Sequence, residues 1–121
     1  METTSAIGEE GEEIAANYLA SAGYEIKAKR WRLGKNEVDI IAFKNNIVCF
    51  VEVKLRKSAA VAKPWQAVNR AKQKSIIRCA DAYLRWHTSG NSEARFDVIS
   101  ITGPAPNYQI EHIEHAFYAT M

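Results

Sequence analysis

The chain reads as an α/β domain in the order helix, three strands, helix, strand, which predicts a central mixed sheet flanked by helices. Three observations carry this expectation. Apolar residues recur at helical spacing over about 7–22 and again over about 66–86. Between them, "YEIKAKRWRL", "EVDIIAF" and "IVCFVEVKL" are short runs rich in Val, Ile and Phe, bounded by turn residues. A further strand-like run, "ARFDVISI", follows the second helix. The 121 residues contain no repeat, low-complexity tract or linker, so a single domain over 1–121 with one core is expected.

Each element has a local cause. In the first helix Ile7, Gly11, Ile14, Ala15, Tyr18, Leu19 and Ala22 share a face, with Ser5 as candidate cap and Gly23 as stop. Asn45-Asn46 separates the second and third strands, and Asn tolerates the positive φ of a tight two-residue turn. Such a turn pairs Lys44 with Ile47. Counting outward puts Asp39 opposite Glu52 and Glu37 opposite Lys54, whereas a one-residue slip would send Asp39 and Glu52 to opposite faces. Beyond Pro64, the second helix carries an apolar stripe of Ile76, Ile77, Ala80, Tyr83 and Leu84. Arg70, Lys74, Arg78 and Arg85 form a second stripe beside it, and Lys72 lies at the other edge of the apolar face. "ARFDVISI" is approached through a Gly90-Asn91-Ser92 turn, and the tail "YQIEHIEHAF" reads as extended.

Charge is distributed unevenly. The net charge is only +2, yet residues 1–13 hold five Glu and no Lys or Arg, while residues 53–85 hold nine Lys or Arg against Asp81 alone. A basic face that meets a polyanion is the expectation, with a solvated Lys/Arg helix as the plain alternative. No apolar run approaches the roughly 20 residues that span a bilayer. The acidic start lacks the features of a signal peptide. Cys49 and Cys79 have no metal-type spacing and read as reduced core thiols of a cytoplasmic protein.

Charged residues inside an apolar hairpin need compensation, because they are almost never fully buried alone. Glu52 and Lys54 are two apart and share a face, with Asp39 across from them. Two facing carboxylates repel each other, and a divalent cation removes that penalty. Two such oxygens with room for water and phosphate suit Mg²⁺, and a lysine beside them can serve a phosphate oxygen or the attacking water. The cluster points to a metal-dependent phosphodiesterase, rather than to ion pairs at strand ends.

Asp39, twelve intervening residues and then Glu52-Val53-Lys54 resemble the PD-(D/E)XK nuclease signature, whose scaffold is the restriction-endonuclease-like fold. The whole chain is similar to the small bacterial YraN family, itself related in pattern to archaeal Holliday junction resolvases. The similarity runs in order through "GEEIAANYL", "NEVDIIA", "FVEVKLR", "AVNRAKQKSIIRCADAYL", "RFDVISI" and "HIEHAF". It implies Asp39 and Glu52 as ligands of Mg²⁺ or Mn²⁺, Lys54 as catalytic lysine and Glu12 as a further acid of the site. It also favours DNA, branched or damaged, as substrate; a resolvase on a symmetric junction would need two active sites and hence a homodimer. The chain departs from the pattern with Val38 before Asp39 where such nucleases commonly have proline, Asn36 for Gly, and Arg30 for Asn.

Among the remaining residues, Arg56 and Lys57 follow the catalytic strand and are placed to hold DNA near the metal. Arg70, Lys72, Lys74 and Arg78 are candidates for phosphate contacts, which would make binding salt-dependent and tolerant of sequence. Gln66, at the start of the second helix, is a candidate accessory residue, with an ordinary cap as its alternative. Glu37 reads as a partner of Lys54 or a solvated strand start. Trp31, between two arginines, is the best base-stacking candidate of the three tryptophans, although Trp31, Trp65 and Trp86 more commonly pack. His112 and His115 read as structural. Besides the nuclease, the sequence admits a nucleic-acid-binding module that does not cut, a protein-interaction domain, and RNA in place of DNA.

Overall fold

Two helices sandwich a five-stranded sheet in the computed structural model, which describes residues 4–56, 68–88 and 92–119, with side chains in the first segment from residue 8 onward. The elements are α1 (Thr4–Ser21), β1 (Glu25–Leu33), β2 (Asn36–Lys44), β3 (Ile47–Arg56), α2 (Arg70–His87), β4 (Glu93–Thr102) and β5 (Gln109–Phe117). Spatial order follows sequence order, β1-β2-β3-β4-β5. Only β3 and β4 are parallel, and the connection between them contains α2, as a parallel pair requires. The architecture is the mixed α/β sheet expected, consistent with a restriction-endonuclease-like fold. It adds one strand to that order: the tail, read as extended, is β5, paired antiparallel to β4.

Local chemistry explains the boundaries. Gly23, at φ +94°, ends α1, and the Tyr24 N–H returns to the Leu19 carbonyl across it. Ser5 lies within α1 rather than before it. Asn45 and Asn46 have φ +52° and +63°, and the turn pairs Lys44 with Ile47 as counted. The helix start near residue 66 is corrected: Val68 and Asn69 are not helical, and α2 begins at Arg70. Asn69 Oδ1 accepts the Lys72 N–H at 2.9 Å, the mark of an N-cap. Lys57, Pro64, Trp65, Gln66, Gly90 and Asn91 lie outside the described residues.

The sheet separates two cores. Ala15, Ala16 and Leu19 of α1 pack with Ile40, Ala42, Cys49, Val51 and Ile99. Ile76, Cys79, Ala80 and Tyr83 of α2 pack with Val38, Ile41, Val48, Phe50 and Val98. Along β3 the alternation is regular, odd residues toward α1 and even toward α2, so its apolar stretch is buried on both faces. Both cysteines are buried and unpaired. Among the described residues no helix is long and apolar enough to cross a membrane.

Candidate functional site

The β2–β3 ladder stops one step short of the carboxylates. Its last pair is Ile40–Val51, although the register places Asp39 and Glu52 next. A continued ladder would send the Val53 N–H to the Val38 carbonyl, because Asp39–Glu52 would be a non-hydrogen-bonded pair. Instead the Val53 N–H donates to Asp39 Oδ2 at 2.8 Å. Val38 and Ile40, two apart, pack in opposite cores, so the side-chain alternation of β2 breaks at Asp39. Asp39 thus replaces a strand carbonyl and parts the two strands at the site.

Arg30 marks the same break on β1. Lys29 pairs with Ile40 and Trp31 with Val38, so the register sets Arg30 opposite Asp39. Arg30 has φ +50°, a left-handed conformation uncommon for a long side chain. Its Nε donates to Glu12 Oε1 at 2.7 Å, and Glu9 lies 3.8 Å from its Nη1. Glu12 is buried, and desolvation raises its pKa above the ordinary value although the Arg30 hydrogen bond acts the other way.

Close approach of α1 brings Glu12 here. A Cβ on Gly11 would lie 3.3 Å from Leu55 Cβ, so the helix rests on the end of β3 at a residue with no side chain to hold it off. Gly8, Gly11, Glu12, Asp39 and Glu52 line a cleft of about 300 Å³. Of the acids flanking the apolar face of α1, Glu12 enters the site, whereas Glu10 accepts from the Tyr108 hydroxyl at 2.6 Å.

Glu52 is the centre of the cluster. It is 3% exposed, and its Oε1 is buried with no hydrogen-bond partner among the described residues. Burial, then the neighbouring Asp39 carboxyl, pushes its pKa up to about 8 against the pull of Lys72 and Lys54. Lys54 Nζ lies 3.5 Å and Lys72 Nζ 3.8 Å from its Oε2. Asp39, Glu52, Lys54 and Glu12 are therefore brought together, and Lys72 joins them from α2. Glu37 does not pair with Lys54; it accepts from Arg32 Nε at 2.6 Å, its neighbour across the β1–β2 ladder.

This chemistry fits a hard divalent cation. The buried Glu52 oxygen that lacks a partner among the described residues and the Asp39 carboxylate beside it are oxygen donors of the type that could hold Mg²⁺. Among the described residues no three His, Cys, Asp or Glu side chains form a compact metal-binding group. Glu12, held by Arg30, accords with that finding.

The remaining candidates are dispersed. Arg56 ends β3, half-buried, its carbonyl accepting from the Gly103 N–H at 2.7 Å. Arg70, Lys74 and Arg78 are exposed along α2, while Lys72 is half-buried. Lys57 and Gln66 fall outside the described residues. Trp31 is half-buried edge-on to Tyr83 at 5.5 Å, so it packs against α2 rather than standing free; Trp86 is exposed.

The sequence profile of the uncharacterised protein family UPF0102 matches residues 11–101, a span that includes Gly11, Glu12, Arg30, Asp39, Glu52, Lys54 and Lys72. The chain belongs to this family. The UPF0102 protein of Chlorobaculum tepidum is 44% identical over 117 residues, covering 92% of this chain and 91% of the relative. That of Phocaeicola vulgatus is 45% identical over 111 residues, with 92% and 91% covered. The resemblance to the YraN family is borne out by this membership. The UPF0102 match includes the parted β2–β3 ends and the first turns of α2, so the whole cluster belongs to the shared region.

A second buried polar cluster went unnoticed in the sequence. Asp97 is fully buried and receives Arg95 Nε at 2.9 Å, His112 Nε2 at 2.7 Å and the His115 N–H at 3.3 Å. Because a carboxylate only accepts, His112 carries its proton on Nε2, leaving Nδ1 to face the Tyr18 hydroxyl at 3.4 Å. Arg95 also donates to the Tyr24 hydroxyl. Its sequence signal was available: Arg95-Phe96-Asp97 has the same acid–base spacing as Glu52-Val53-Lys54.

Proposed function

We propose that this protein is a Mg²⁺- or Mn²⁺-dependent endonuclease of the PD-(D/E)XK type that hydrolyses phosphodiester bonds in DNA, branched DNA foremost. The observation that carries the proposal is the buried Glu52 Oε1, which has no hydrogen-bond partner among the described residues, beside the Asp39 carboxyl and with Lys54 on the same carboxylate. A buried carboxylate left unsatisfied is costly, and a cation relieves that cost. When bound, the cation would lower the pKa of a water and stabilise charge on the phosphate. Asp39 and Glu52 would hold it, Lys54 would face the phosphate or the attacking water, and Arg30 would keep Glu12 in place. Arg56 and the exposed cations of α2 would hold flanking phosphates. A cytoplasmic setting is supported by two buried, unpaired thiols. A homodimer would serve a symmetric junction.

Glu12 is neutralised by Arg30 and no compact three-ligand group occurs among the described residues; these observations favour a second reading, a binding module that does not cut. Cleavage of a labelled panel separates the two: linear duplex, single strand, flap and four-way junction, as DNA and RNA, with Mg²⁺ or Mn²⁺. Cutting lost in EDTA and in Glu52→Ala is the expected result. Equal behaviour of wild type and Glu52→Ala, with both binding DNA, would replace the nuclease by the binding module.

A further inference from the structure

Glu52 Oε2 has two ammonium groups within 4 Å, and only one belongs to the strand that carries the D…ExK pattern. The other, Lys72, projects from the first turn of α2, where its own N–H is capped by Asn69. A cation in the first turn opposes the helix macrodipole, and that turn contains no acid to offset it. Helix stability therefore does not account for a lysine here. Nor is Lys72 one of the solvated stripe: Arg70, Lys74 and Arg78 are exposed, whereas Lys72 is half-buried on the sheet side.

Its distance from Glu52, 3.8 Å, exceeds the roughly 2.7–2.9 Å of a charge-assisted hydrogen bond. The ammonium is held near the carboxylate without being locked to it. Charge balance points the same way. Asp39, Glu52 and Glu12, when ionised, are matched by Arg30, Lys54 and Lys72. A divalent cation would then leave the site two charges positive, matching the two negative charges that a phosphodiester develops at the transition state of hydrolysis. Lys54 alone would leave that match one charge short.

Resting on the nuclease reading, we propose that Lys72 is a second lysine of the reaction: it lies against Glu52 in the free protein and moves to a non-bridging oxygen of the scissile phosphate when DNA binds. Lys72 is then a catalytic residue distinct from Lys74 and Arg78, which neutralise flanking phosphates from the outer face of α2.

Lys72→Met, Lys72→Arg and Lys74→Met are compared with wild type in cleavage of four-way junction DNA. In parallel, acetylation of Lys72 is read by mass spectrometry in Ca²⁺, with and without the same DNA. The expected result is a kcat about 100-fold lower in Lys72→Met with little change in KM. Partial recovery in Lys72→Arg, and protection of Lys72 from acetylation by DNA, complete it. Lys74→Met should instead raise KM and reduce the salt dependence of binding. If wild type cuts and Lys72→Met cuts equally well, the role of Lys72 is overturned while the nuclease stands. If wild type does not cut, the nuclease reading fails; protection of Lys72 then still supports its phosphate contact, and unchanged acetylation overturns it.

Discussion

Glu52–Lys54 on β3 and Arg95–Asp97 on β4 are acid–base pairs of identical spacing on adjacent parallel strands, yet their surroundings are opposite. Both lie where a ladder is interrupted. Asp39 takes the Val53 N–H where β2 and β3 part, and Asp97 takes the His115 N–H where three residues of β5 bulge opposite it. Around Asp97 the oxygens are saturated. Burial alone would raise its pKa, but the His112 and Arg95 hydrogen bonds outweigh that and hold it below the usual value. Around Glu52 one oxygen has no partner among the described residues, a second carboxylate crowds it, and its pKa rises to about 8. A saturated buried carboxylate holds the fold together, whereas an unsaturated one carries a desolvation cost that nothing among the described residues offsets.

The largest expected effect tests the saturated side. Asp97→Ala removes the buried carboxylate that pairs with Arg95, leaving that guanidinium the Tyr24 hydroxyl and Glu114, and should cost about 3–5 kcal/mol in urea unfolding. Asp97→Asn keeps the shape and isolates the charge. Because the folded pKa of Asp97 is depressed, its contribution is complete above about pH 4, the unfolded value, and is lost as pH falls through the folded one. Acid unfolding should therefore lose that slope in Asp97→Asn. A wild-type-like acid transition in this variant would remove the contrast between the two regions.

Glu52 has the opposite sign. With its folded pKa raised, the folded state retains a proton that the unfolded chain releases above about pH 4.3, so stability falls as pH rises toward about 8. In EDTA at pH 8, Glu52→Gln should be more stable than wild type, because it removes a buried negative charge that faces Asp39. Mg²⁺ or Mn²⁺ should raise the Tm of wild type and leave Glu52→Gln unmoved. A destabilised Glu52→Gln would mean that this carboxylate serves the fold after all.

Two smaller effects sharpen the comparison. Gly11→Leu forces α1 away from Leu55 and should cost about 1–3 kcal/mol by overpacking, taking Glu12 from the site. Thermal unfolding and divalent-ion binding measured together would show both losses. Arg85→Ala removes the exposed pair with Asp81 on α2 and should change stability by no more than about 0.5 kcal/mol. A larger loss there would show that exposure does not explain the difference among the three acid–base pairs.

Much of this was legible in the sequence because the relevant information is local. Asn45-Asn46 specifies a turn, the turn specifies a register, and the register places Asp39 beside Glu52 without knowledge of any other element. Helical periodicity separated Lys72 from the exposed cations of α2 for the same reason. What periodicity could not show is where each helix face meets the sheet. Glu10 and Glu12 are nearly symmetric about the apolar face of α1, and only the contact at Gly11 sends one to the cleft and the other to Tyr108. The parting of β2 from β3, the left-handed Arg30 and the saturation of Asp97 by residues from β4 and β5 likewise needed the assembled sheet. Spacing along the chain determined which residues are neighbours within an element. Packing between elements decided which buried charges are satisfied, because that depends on donors brought from distant parts of the chain.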